Sequence, residues 1–226
     1  MDRNYFFRAM KLYLKAAANP FVIALTILFS GMMLAVFIID PDPVGSKDYM
    51  SMLSAIQMGK LGFFFIVMMG NLKLQQNKFY ASCCCGKELY TAAPIVTVLA
   101  VSLIYDVILA AIAAVNLGST GLSDVLIMDS IGSALLISVA ACYGKKKLSF
   151  GSVIPYFLFI SIPGVIGKLG ILDGIFGLSV GLSVVIAVSV YVVSVVLSLI
   201  VVNTWWKKSD RFAMPNKFIA NSMIGQ

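Results

Sequence analysis

Few side chains in this chain could carry out chemistry, and the most informative are two charged residues inside long apolar runs. The 226 residues include no histidine, which excludes histidine general bases, Ser-His or Cys-His nucleophile pairs and histidine-ligated metals. Lys60 and Asp106 are the two charges, and at about 1.5 Å per helical residue they lie roughly 16–18 Å from the same side of their segments.

An isolated charge at that depth of a membrane is costly. We therefore predict that Lys60 and Asp106 pair or line one aqueous cavity. The alternative is that Lys60 reaches outward, while Asp106 stays protonated or bonds to Tyr105 or a neighbouring helix.

Three consecutive cysteines, Cys83, Cys84 and Cys85, are a second candidate for chemistry. Adjacent thiols do not have the spacing of a tetrahedral zinc site, and no histidine could complete one. We interpret them as small, semi-polar packing residues. Acylation of a membrane-adjacent thiol is one alternative, and redox or metal chemistry is another.

The composition requires a membrane protein. Hydrophobic residues make up 60% of the chain and charged residues 12%, with a mean hydropathy of +0.97. A soluble domain of this size could not bury so much apolar surface. A soluble enzyme, a nucleic-acid module and a disordered chain are therefore excluded.

Long apolar runs separated by Pro, Gly, Asn and Asp predict an all-α fold, because a lipid-facing sheet would need short alternating strands. We expect residues 1–226 to form a single transmembrane domain with six spans and an uncleaved first span. The predicted spans are 21–39, 52–71, 94–116, 125–143, 151–168 and 175–202. Pro and Gly residues near the end of the fifth span predict that this helix kinks or ends early.

Charge bias predicts the orientation. With the N-terminus in the cytoplasm, all but Lys47, Lys60 and Lys168 of the 17 basic residues fall on the cytoplasmic side. Both termini, including the tail 203–226, are then cytoplasmic. The net charge of +7 follows from this bias and gives no reason to expect nucleic acid as a partner. The acidic residues assigned to the opposite side are Asp40, Asp42, Asp48, Asp124, Asp129 and Asp173.

Two features at the membrane surface follow from this orientation. Residues 1–19 are expected to form an interfacial helix, with Arg8, Lys11 and Lys15 on one cationic stripe; the alternative is a basic segment that only orients the chain. Trp205 and Trp206 are typical of an interfacial anchor at the end of the last span. Asp129, near the outer end of the fourth span, is interpreted as a solvated or capping residue.

The cytoplasmic segment 71–93 between the second and third spans is suited to a short surface helix that docks a partner. The segment contains a pattern made of Asn77, Lys78, Phe79, Tyr80, Ala81, Ser82, Gly86 and Lys87, followed by Pro94. This pattern, together with the six spans, resembles the permease subunits of ABC-2-type exporters, in particular a branch of small permeases from Gram-positive bacteria. Within that branch, exporters of amphipathic phenol-soluble peptides are the most similar in function, although the family's acidic residue ahead of the loop glycine is absent here. The resemblance implies that the ATPase couples to Asn77, Lys78, Phe79, Tyr80, Ala81, Ser82, Gly86, Lys87 and Glu88.

The resemblance implies a pair of permease subunits, forming a homo- or heterodimer, in a Gram-positive plasma membrane. It also implies a short re-entrant element over residues 163–177, on the outer side between the fifth and sixth spans, with a loose loop as the alternative. ATP and Mg²⁺ would bind a separate ATPase, because Gly86-Lys87 lacks the upstream glycine and the following hydroxyl of a phosphate-binding loop. We expect no cofactor, metal or catalytic residue on this chain, and an amphipathic peptide or another lipophilic molecule as the substrate.

Other functions remain open. The alternatives are the substrate-binding membrane subunit of an energy-coupling-factor importer and a membrane immunity or scaffold protein without transport. A membrane enzyme is disfavoured, since Asp106 has no second central carboxylate in this interpretation.

Overall fold

The protein is an all-helical, multi-pass membrane protein. Its structure is a computed structural model that describes residues 3–46, 48–76, 80, 83–142, 161 and 175–207. Those residues contain no strand and include five helical stretches long and apolar enough to cross a membrane. The helices are α1 (Arg3–Ala17), α2 (Pro20–Ile39), α3 (Tyr49–Gly59), α4 (Leu61–Gln76), α5 (Gly86–Tyr90), α6 (Ala92–Asn116), α7 (Gly118–Cys142) and α8 (Val180–Lys207).

Most of the predicted spans agree with these helices. Three predicted parts lie outside the described residues: the span 151–168 except residue 161, the re-entrant element except its last three residues, and the tail from 208. Four of the other five predictions coincide with helices to within about five residues at each end. The fourth predicted span is wrong at its start, because α7 begins at Gly118 and not at 125.

Asn19-Pro20 separates α1 from the first span. Asn19 has extended backbone angles (φ −115°, ψ 124°), and its side-chain oxygen accepts a hydrogen bond from the Phe21 amide at 3.0 Å. Pro20 occupies the first helical turn, where its missing N–H is not needed. These two residues therefore end α1 and start α2 with the first exposed amide satisfied.

The second span is interrupted at Lys60. The Lys60 amide donates to the Gln57 carbonyl at 3.1 Å, and the Phe63 amide donates to the Lys60 carbonyl at 3.0 Å. Each bond joins residues three apart, as in a 3₁₀ turn, and not four apart as in an α-helix. The Gly59 carbonyl accepts instead from the Ser30 hydroxyl of α2, at 2.7 Å. Buried backbone groups freed by the break thus find partners within the protein, as a membrane interior requires.

The predicted loop between the third and fourth spans is reduced to one residue, Leu117, between α6 and α7. Gly118 turns the chain with a positive φ of 70°, which favours glycine. The Asn116 side chain donates to the Phe37 carbonyl at 2.7 Å and ties this turn to the end of α2. We call this side of the bundle the turn end.

Polar residues near the start of α7 are buried, which explains why the fourth span begins earlier than predicted. Asp124 accepts hydrogen bonds from the Tyr49 hydroxyl at 3.0 Å and the Gly177 amide at 2.8 Å. Ser123 and Ser183 lie 2.5 Å apart through their hydroxyls. Their partners come from other segments, so a hydropathy scan along one segment misses this burial.

At the other side of the bundle, α1 packs against the ends of α4, α5 and α6. Three α1 residues on one face, Ala9, Tyr13 and Ala17, are buried, whereas Arg8, Lys11 and Lys15 are exposed. The buried face belongs to a cluster completed by Leu74, Cys85, Leu89 and Ala93. We call this side the α1 end, and this group of buried residues the α1-end cluster.

Candidate functional site

Lys60 lies between two aspartates in the middle of the bundle. Its ammonium nitrogen is 2.8 Å from Asp106 Oδ1 on α6 and 2.5 Å from Asp129 Oδ1 on α7. The Lys60 side chain is fully buried, and the Asp106 and Asp129 side chains are 11% and 5% exposed. The structure therefore brings Lys60 and Asp106 together and adds a second carboxylate.

Hydroxyl groups complete the cluster. Lys60 also donates to the Asp129 carbonyl at 3.1 Å and to the Ser133 hydroxyl. Ser133 in turn donates to Asp106 Oδ2 at 3.2 Å, and the same oxygen accepts from Tyr191 of α8. The cluster thus connects the α3–α4 junction with α6, α7 and α8.

Aromatic and small residues hold Lys60 in an apolar setting. Its ammonium is 5.8 Å from the centre of the Tyr105 ring, which contacts Phe63 edge to face. A side chain at Gly59 would overlap the Tyr105 hydroxyl. This close packing keeps bulk water away from the ion pairs and strengthens them.

The interpretation of Asp129 as a solvated or capping residue is wrong, because Asp129 is buried against Lys60. Asp129 nevertheless lies at nearly the same depth of the bundle as Lys60 and Asp106. Counted back from Cys142, thirteen residues give about 20 Å, only slightly deeper than the other two charges. Ser133 follows from the same count, since it lies one helical turn from Asp129, but Tyr191 carries no such signal.

The coupling residues predicted between the second and third spans are only partly described. Gly86, Lys87 and Glu88 lie in α5, where Gly86 is buried, Lys87 is exposed and Glu88 is half-buried. Tyr80 is half-buried and packs on the α1-end cluster. Those outside the described residues are Asn77, Lys78, Phe79, Ala81 and Ser82.

Two aromatic contacts fix α5 in place. The Tyr90 hydroxyl donates to the Leu74 carbonyl at 2.6 Å, and burial raises the pKa of this phenol to about 12. The Trp206 ring stacks on Tyr90 with centroids 6.1 Å apart. The end of α8 and the end of α4 thus hold the same short helix.

The three cysteines are free thiols with different surroundings. Cys84 is exposed, while Cys83 and Cys85 place their sulfurs 3.4 Å apart. Burial, with a smaller contribution from the hydrogen bond with Cys83, raises the pKa of the Cys85 thiol to about 11. Cys85 is therefore a packing residue with little thiolate character, and the described residues contain no cluster suited to a metal.

The cluster around Lys60 and the α5 segment belong to separate packing units. Phe63 and Tyr105 beside Lys60 lie in the main core, whereas Cys85 and Leu89 lie in the α1-end cluster. The first unit can hold charge or a proton inside the bundle, and the second presents a helix at the bundle end.

Comparisons with protein-family models, curated proteins and solved structures found no match to this chain.

Proposed function

We propose that this chain is the membrane subunit of an ATP-driven exporter and that a separate ATPase docks on α5. The observation that carries the proposal is the way in which α5 is held. A helix of five residues is too short to be stable by itself, yet α5 is fixed by α1, by Leu74 and by Trp206. A rigid, partly exposed helix outside the spans suits the transmission of force from a partner.

The chemistry of the chain agrees with a partner that hydrolyses ATP. The sequence offers no phosphate-binding loop, because Gly86-Lys87 lacks the flanking residues of one. Lys87 is exposed and Glu88 is half-buried on α5. We propose that these two charges face the ATPase, with α1 and α5 on the cytoplasmic side of the membrane.

The spans suit a lipophilic substrate. The charges of Lys60, Asp106 and Asp129 are engaged with one another, so they offer little to a polar solute. The exposed residues of α2 and α8 are mainly Ile, Leu, Met and Val. An amphipathic peptide or a lipid-like molecule is the substrate class that we propose.

The first test is purification of the tagged chain from membranes of its own host, followed by assay for ATPase activity in the eluate. We expect an associated ATPase whose amount falls at least several-fold in Lys87→Glu. The matched control is Asp40→Asn, an exposed charge change at the turn end, which should leave the association unchanged. Absence of any ATPase would favour the immunity or scaffold alternative.

Direction and substrate need a second measurement. Inside-out vesicles that contain the complex should accumulate a labelled amphipathic peptide when ATP is added outside, and Lys87→Glu should reduce the accumulation. Accumulation in right-side-out vesicles with internal ATP would instead favour an importer.

A further inference from the structure

The cluster around Lys60 contains one more negative group than positive groups. Lys60 supplies one ammonium, while Asp106 and Asp129 supply two carboxylates within 2.8 Å of it. If both carboxylates were ionised, the buried cluster would carry a net charge of −1. A buried unpaired charge is costly and is usually neutralised by a proton.

No other described group that faces the cluster supplies the missing positive charge. The contacts from α6 and α8 are the phenols of Tyr105 and Tyr191, and α7 adds the hydroxyl of Ser133. The sequence of α2 contains no titratable side chain. Asp124 lies nearer the start of α7, and its carboxylate accepts hydrogen bonds from Tyr49 and Gly177.

A metal ion does not fit this arrangement, since the Lys60 ammonium already lies between the carboxylates. We propose that Lys60, Asp106 and Asp129 form a proton-binding site in which the two carboxyl groups share one exchangeable proton. On release, the carboxylic O–H bond breaks, its electron pair stays on the carboxylate, and the proton passes to water as hydronium. Asp106, at 11% exposure, is the most accessible of the three side chains.

The position of the site gives proton binding a structural consequence. Lys60 is the junction of α3 and α4, and its side chain is held by α6 and α7, while Tyr191 adds α8. Loss of the proton strengthens the attraction on Lys60 and adds repulsion between the aspartates. Proton occupancy therefore biases how the broken span sits against three other helices.

Infrared difference spectroscopy on the full chain in lipid nanodiscs tests the site directly. At neutral pH, where exposed aspartates are ionised, the wild type should show the carbonyl band of one protonated carboxyl per chain. The band should disappear on alkaline titration. Asp106→Asn and Asp129→Asn each leave one carboxylate opposite Lys60, so both variants should lack the band at neutral pH.

The matched control is Asp124→Asn, which removes a buried carboxylate that faces no lysine and should keep the band. Tyr191→Phe is a milder variant that removes one donor to ionised Asp106, so its band should persist to higher pH than that of the wild type. It keeps the proposal falsifiable if the Asn variants do not fold.

Absence of a protonated carboxyl in the wild type at neutral pH would overturn the proposal, as would persistence of the band in either Asn variant. An unchanged titration in Tyr191→Phe would also count against it. The measurement uses the isolated chain without an ATPase. Its outcome is therefore independent of the proposed function.

Discussion

Lys60 illustrates how a buried ion pair acts on stability at the scale of one residue. Moving an ammonium and a carboxylate out of water is costly, and their attraction roughly offsets that cost. The pair is therefore weak evidence for extra stability. Removing only Lys60 is different, because two buried carboxylates then face each other without a cation.

Replacing Lys60 by methionine should lower the unfolding free energy by about 3–5 kcal/mol, the range for a buried ion that loses its partner. SDS-induced unfolding, followed by the fluorescence of Trp205 and Trp206, measures the change. Lys87→Met removes an exposed lysine instead, and we expect an effect within about 0.5 kcal/mol.

A neutral cluster provides the second control. Adding Asp106→Asn and Asp129→Asn to Lys60→Met should recover most of the lost stability, since no buried ion remains. A charge swap, Lys60→Asp with Asp106→Lys, keeps one buried ammonium between two carboxylates and should transport and fold better than Lys60→Ala alone. If Lys60→Met were as stable as Lys87→Met, the cluster would have no structural importance.

How much of this site the sequence reveals depends on what each residue needs as a partner. Lys60 and Asp106 can be matched by depth, because charges are rare in apolar runs and helical rise is fixed. Asp129 is missed because it lies near the outer end of the fourth predicted span, which favours a solvated residue, although its depth counted from Cys142 matches that of the other two charges. Tyr191 could not be found, because lateral helix order is not encoded in segment length or composition.

At the scale of elements, α2 and α4 approach closely where a glycine faces a small residue. A side chain at Gly62 would overlap the backbone and side chain of Thr26. Just beyond, Ser30 of α2 binds the Gly59 carbonyl at the helix break. Small residues at a membrane helix interface allow such approach and let packing take the place of a hydrophobic driving force.

Gly62→Ala should therefore destabilise the protein by about 1–3 kcal/mol, because a backbone neighbour cannot move aside as a flexible side chain can. The same SDS unfolding assay measures the loss. The matched control is Gly31→Ala on α2, which meets nothing within 4 Å and should be neutral or stabilising by about 0.5–1 kcal/mol. Equal effects of both substitutions would contradict this account of the interface.

Helix ends show where a hydropathy pattern stops being informative. The first span begins where Asn19-Pro20 predicts, since capping chemistry is local. The early start of α7 at Gly118 and the break at Lys60 depend on partners in other segments, such as Tyr49 for Asp124. Local sequence therefore predicts that these spans exist but misses these two features.

At the scale of the whole molecule, burial is distributed unevenly among the spans. Of the candidate span windows, that of α7 is 67% buried, and those of α2 and α8 are each 17% buried. α7 is thus central among the described spans, and α2 and α8 present apolar faces. Because α8 is apolar on nearly every face, its sequence does not show which side contacts protein. The sorting of basic residues along the chain, in contrast, predicts the orientation from the sequence alone.

That sorting predicts that the α1 end is cytoplasmic, and native Cys84 offers a way to test it. Cys84 is exposed beside α5 at the α1 end, and Val44 is exposed in the loop after α2, at the turn end. With the other cysteines replaced by serine, an impermeant thiol reagent should label Cys84 only after cells are permeabilised. In a chain that also carries Cys84→Ser, Val44→Cys should be labelled in intact cells, and it serves as the matched control.

The positive-inside rule requires this pattern, because basic residues cross the membrane poorly. Labelling of Cys84 in intact cells, together with protection at position 44, would invert the orientation and would remove α5 from the reach of any cytoplasmic ATPase.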